Sequence, residues 1–186
     1  AMATFCYAAM QLTLMSFAVT LLVGEVGWSL LAAGAAFSAM QATGAAGRVL
    51  WGAVADRLGR SAWVLSALGF VSAGAAMLTA GLGPDSAPGW VLAVLLLFAA
   101  TAIGWNGVFL AEVARIGGPE GAGRTTGAVM VFTFSGVVIG PALYSGVFWL
   151  AGSHGAAMGL MAVFPILGSL LVLRGAGVSS QPRVAL

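Results

Sequence analysis

The sequence predicts an all-α membrane protein that crosses the bilayer six times. Three observations carry that expectation. The 186 residues are 61% hydrophobic and 6% charged, against about 25% charged residues in a soluble domain. The few charges cut the chain into uncharged stretches, each long enough for one or two crossings. The basic residues, all of them arginine, gather at one set of stretch ends.

The elements follow in order. Ala1 to Gly24, Val26 to Gly47, Ser61 to Pro84 and Ser86 to Ala111 carry no charge, and each is roughly one crossing long. Thr125 to Leu173 is long enough for two crossings, with a break at Ala151-Gly152-Ser153-His154-Gly155. The predicted spans are 3–23, 29–53, 61–82, 89–114, 125–150 and 155–174. The first has no basic leader and no small-residue cleavage pattern, so it does not read as a signal peptide. Ala1-Met2 opens directly on a hydrophobic helix, which suggests a cut in a longer chain, with Met2 as a true start the alternative. Residues 175–186 read as a disordered cytoplasmic tail.

Orientation follows from the arginines. Arg48, Arg57, Arg60, Arg115, Arg124, Arg174 and Arg183 share one set of ends; Glu25, Asp85 and His154 occupy the other. The positive-inside rule makes the arginine side cytoplasmic, with both termini there, in an inner or cell membrane. Trp28, Trp51, Trp63, Trp90 and Trp149 lie near span ends, as an aromatic belt would place them. Abundant Gly and Ala suit close helix packing in lipid.

Several function classes are excluded. The lone Cys6 forbids an internal disulfide and a cysteine metal cage. One His and one Cys in unrelated places supply no metal set and no buried nucleophile with a base, so no catalytic, metal or cofactor-binding residues are expected. The chain has no lysine and so no phosphate-binding loop for a nucleotide. A net charge of +2 gives no nucleic-acid footprint.

The sharpest motif is Gly52-Ala-Val-Ala-Asp56-Arg57-Leu-Gly59-Arg60. Asp56 lies just ahead of the third predicted helix, where the dipole favours a carboxylate. Gly59 permits a tight turn, and Arg57 and Arg60 can pair with carboxylates on neighbouring helix ends. The run closely resembles the cytoplasmic loop signature of the major facilitator superfamily of transporters, which joins the second and third helices of each six-helix half. Ser61 stands where a basic residue is common. A second stretch, Glu112…Pro119…Arg124, is similar to that superfamily's loop between the fourth and fifth helices. In some members such residues join the first motif in a cytoplasmic charge network, which implies that role for Glu112 and Arg124. Gly136-Val-Val-Ile-Gly140-Pro141 is similar to a fifth-helix run of some antiporters; on residue type alone it implies helix packing and a kink. The resemblance implies two inverted three-helix repeats. The Trp105-Asn106-Gly107 run and the Gly140-Pro141 helix look like a C-terminal half, whose partner would be an N-terminal six-helix half.

Polar residues inside a bilayer usually face protein. Gln11, Gln41, Asn106 and Tyr144 are the largest, and as a group they form the candidate solute-lining set. Spans three and six are poorer in such groups and are expected to face lipid. No Asp, Glu, Lys or His falls near mid-membrane, and His154 reads as a solvated turn residue. The function these features point to is secondary transport of a small solute by alternating access. The rival is a self-standing six-helix membrane protein, acting as a homodimeric carrier or as a structural or regulatory subunit.

Overall fold

The computed structural model describes residues 1–179, without the side chains of Ala111, residues 113–122, residues 124–126 and residues 177–179. Its regular elements are all helices: α1 (Met2–Gly24), α2 (Leu30–Leu58), α3 (Ser61–Ala80), α4 (Pro88–Ala102), α5 (Trp105–Ala151), α6 (His154–Met161) and α7 (Val163–Ser179). Five stretches among the described residues are long and apolar enough to cross a membrane: Met2–Gly24, Ser61–Ala80, Pro88–Leu110, Gly127–Ala151 and His154–Ala176. α2 is longer than any of them at 29 residues, yet it is not among the five. It spends its length on Ala and Gly and carries Gln41, Arg48, Asp56 and Arg57.

Local chemistry explains most helix ends. Ser29 and Ser153 cap α2 and α6, each side chain accepting a backbone N–H from three residues ahead. Pro88 opens α4 at a position where its missing N–H costs nothing. Gly59 and Gly152 close α2 and α5 in the left-handed region, at φ 61° and 65°. Pro165 removes the N–H that would reach Met161, and the last crossing accordingly breaks at Ala162 between α6 and α7.

The structure departs from the sequence expectations at several of these ends. α2 does not stop at residue 53 but continues to Leu58, because nothing before Gly59 interrupts it. The helix of the last crossing runs on to Ser179, so the tail predicted from 175 begins as helix; residues 180–186 lie outside the described residues. α5 is helical through the loop expected at 115–124. Its two ends nevertheless flank one stretch of α1: Trp105 donates to Gln11, and Gly140 rests on the backbone of Ala9. A straight helix would separate Trp105 and Gly140 by about 50 Å. α5 is therefore not one straight rod: its first arm, up to Leu110, runs antiparallel to α1, and its second, from Gly127, runs parallel to it, from Gly136 at Phe5 to Tyr144 at Phe17.

The core lies between α1 and its neighbours. Leu14, Leu21 and Leu22 of α1 pack with Met40 of α2, Phe98 of α4 and Met158 of α6. A polar clamp joins α1, α3 and α7. Tyr7 Oη donates to the Leu65 carbonyl at 2.9 Å, and Ser169 Oγ donates to the Ser66 carbonyl at 2.9 Å. Gly136 and Gly140 let the second α5 arm touch the α1 backbone at Phe5 and Ala9, where an added Cβ would overlap main-chain oxygen. The helix runs unbroken through Pro141. Contrary to the expectation that span three faces lipid, half of α3 is buried, while the arm 127–151, with Gly136, Gly140 and Tyr144 buried, is the least covered.

Candidate functional site

Two of the four candidate cavity residues meet. Gln11 Oε1 accepts from Asn106 Nδ2 at 2.8 Å and from Trp105 Nε1 at 3.0 Å. Gln11 sits near the middle of α1, and Asn106 in the first turn of α5. Among the described residues the Gln11 amide nitrogen has one weak partner, Met15 Sδ at 3.8 Å. Trp105 is fully buried, stacked 5.3 Å from Tyr7 and tilted against Phe109 at 5.4 Å, so it positions Gln11 and presents no face of its own. The amide pair can offer a solute hydrogen bonds without charge.

Gln41 stands apart. It is half-buried on α2, and its Oε1 is buried with no hydrogen-bond partner among the described residues. Such an orphaned acceptor costs free energy unless a ligand or water meets it. Tyr144 does not line an open space. Its ring is fully buried, stacked 4.1 Å from Phe17, and its hydroxyl meets His154 Nδ1 at 2.8 Å. The reason is position: Tyr144 lies at the end of the bundle where α5 returns into α6, where apolar packing fills the gap between helices.

His154 is likewise no solvated turn residue. Its ring stacks 4.1 Å from Phe148, and its backbone N–H donates to Glu25 Oε1 at 2.6 Å. Glu25 thus places a carboxylate at the start of α6, where the dipole favours it. It ties the end of α1 to α6. From its place in the sequence Glu25 has only a topological role, because a carboxylate just past a span end usually meets water.

At the opposite end the loop motif proves mostly helical. Gly52, Asp56 and Arg57 belong to the last turns of α2, and only Gly59 and Arg60 form the turn. Asp56 is therefore not ahead of α3 in a loop, and its backbone carbonyl accepts the Gly59 N–H at 3.3 Å. An open cleft of about 1080 Å³ brings Asp56, Gly59 and Arg60 together with Glu112, beside Thr4 of α1 and Phe109. Residues 50 positions apart in the chain meet there because the first α5 arm descends beside α2. Arg124 falls outside the residues whose side chains are described. Trp51, expected in an interfacial belt, instead turns inward and donates its indole N–H to the Ala100 carbonyl at 2.9 Å.

The family model of the Major Facilitator Superfamily matches residues 1–141. The chain belongs to that superfamily. No curated protein and no solved structure matches it. Members of the superfamily are membrane transporters, so the chain is an integral, multi-pass membrane protein of a transporter family. The match includes the end of α2 with Asp56, the turn with Arg60, and the Gln11–Asn106 pair. In this superfamily member the two features lie at different depths of one bundle, and the first arm of α5 joins them.

Proposed function

We propose that this chain is the C-terminal six-helix half of a twelve-helix secondary carrier, which moves a small solute by alternating access between its halves. α2 counts as the sixth crossing, because it runs beside the Pro88–Leu110 stretch from Gly44 against Ile103 to Arg48 against Gly107. The arginine end is then cytoplasmic, with both termini on that side of the cell membrane. Gln11, Asn106 and Gln41 contribute this half's wall of the solute site. Asp56, Arg57, Arg60, Glu112 and Arg124 form the cytoplasmic network that closes against the other half.

The observation that carries the reading is the uncovered flank. The arm 127–151 is as apolar as α1 and α3 but is buried only at Gly136, Gly140 and Tyr144, with Val131, Phe134, Val138 and Trp149 outward. α2 likewise leaves Leu30, Leu31, Val49 and Leu50 bare. A superfamily member with two bare crossings is what a bundle lacking its other half would present.

The intact mass of the natural protein in its own membrane tests this. A mass near twice 18.5 kDa is expected. A mass near 18.5 kDa would overturn the half-carrier reading and favour a homodimeric carrier or a subunit. In the whole protein, Gln11→Ala, Gln41→Ala and Asn106→Ala should each change solute affinity. If none does, the solute site lies elsewhere.

A further inference from the structure

The crossing that starts at Pro88 is not one helix. α4 ends at Ala102, α5 starts at Trp105, and Ile103 and Gly104 belong to neither. No proline lies at the break, and a single glycine is tolerated inside a helix. The cause is on α2. The Trp51 indole N–H donates to the Ala100 carbonyl at 2.9 Å, the carbonyl that Gly104 N–H would take in an unbroken helix. Ile103 N–H still reaches Ala99 at 3.0 Å and Gly107 N–H reaches Gly104 at 3.2 Å, but no such bond runs from Gly104 to Ala100. A side chain inserted into the helical ladder is a sufficient reason for a kink.

The surroundings are shaped for that insertion. A Cβ on Gly104 would overlap the Ala100 oxygen and lie 2.7 Å from Trp51 Cδ1, and one on Gly47 would lie 2.8 Å from the same oxygen. The Ile103 carbonyl accepts from Asn106 Nδ2 at 3.2 Å, and that nitrogen also donates to Gln11. The break therefore touches two regions at once. One is the α2 end that bears Asp56 and Arg57; the other is the amide pair in mid-bundle.

We propose that Trp51 is the pin of a hinge in this crossing. With the indole in place the Ala100 carbonyl is held off the helix axis and the crossing is bent. When α2 shifts and withdraws the indole, Gly104 N–H recaptures that carbonyl and the crossing straightens. One hydrogen bond to the carbonyl replaces another, so the two forms are close in free energy, as a two-state element requires. Straightening rotates Asn106 relative to Gln11, which couples the α2 end to the amide pair. The hinge belongs to this bundle and does not depend on the existence of a second half.

Amide hydrogen exchange on the full chain in lipid nanodiscs tests it. In the native sequence, the Gly104 and Trp105 amides should exchange at least about tenfold faster than those one turn away on either side. Trp51→Phe keeps the ring and removes the donor. The Gly104 amide should then become slower by about tenfold, although a contact has been deleted. Unchanged or faster exchange at Gly104 in that variant would overturn the hinge and leave Trp51 a packing residue. Should Trp51→Phe not fold, the native profile decides alone: uniform exchange from Phe98 to Phe109 would refute a hinge at this point.

Discussion

The Gln11 side-chain oxygen accepts the Trp105 indole N–H at 3.0 Å, across 94 residues of chain. The same oxygen also serves Asn106 Nδ2. One acceptor therefore satisfies two donors from the first turn of α5. Gln11→Leu should leave a fully buried indole N–H unpaired, at a cost of about 1–3 kcal/mol. Thermal unfolding in detergent would show it as a lowered Tm. The double variant Gln11→Leu with Trp105→Phe should recover part of that loss; strictly additive losses would mean that the bond contributes little.

Two glycines of the second α5 arm offer a matched contrast. At Gly140 an added Cβ would overlap the Ala9 carbonyl oxygen, while at Gly146 it would meet nothing within 4 Å. Gly140→Ala must push the helices apart, with a cost of about 1–3 kcal/mol. Gly146→Ala should be neutral or stabilising by about 0.5–1 kcal/mol, since it only reduces chain freedom. Melting curves of the two variants test the assignment, and equal Tm values would contradict the close contact with α1.

Glu25 and His154 give a test at the far end. Glu25→Gln keeps an oxygen to accept the His154 N–H but loses the charge, so about half of the bond's strength should remain. Glu25→Ala removes the acceptor, and its loss should be the larger, about 1–2 kcal/mol. Exchange protection of the His154 amide ranks the two directly. Equal protection in both variants would mean that Glu25 does not cap α6.

Gly59 closes α2 at φ 61°. Gly59→Ala should cost about 1–2 kcal/mol from the left-handed backbone alone, and Gly59→Asn noticeably less. Nothing lies within 4 Å of a Cβ at this position, so any loss belongs to the backbone and not to packing. A Tm unchanged by the alanine would show that the turn can relax.

What the sequence determined by itself is the solvent and the helical class. With 6% charge, the positions of the twelve acidic and basic groups mark nearly every turn, and the spelling from Gly52 to Arg60 resembles the superfamily's loop signature. These features are legible because they are properties of runs of residues, and no distant contact is needed to read them. The tertiary structure decided which polar groups meet. Gln11 and Asn106 join while Tyr144 turns to His154, because each partner is fixed by how helices far apart in sequence pack side by side. It also decided where helices break. Trp51 opens a crossing at Ile103 and Gly104 from another helix, and no local signal marks that, since the lost Ala100 bond is taken by a side chain 49 residues away. Apolar periodicity could not say which face of a span meets protein, because in lipid both faces are apolar and only the fit of small residues such as Gly136 and Gly140 distinguishes them.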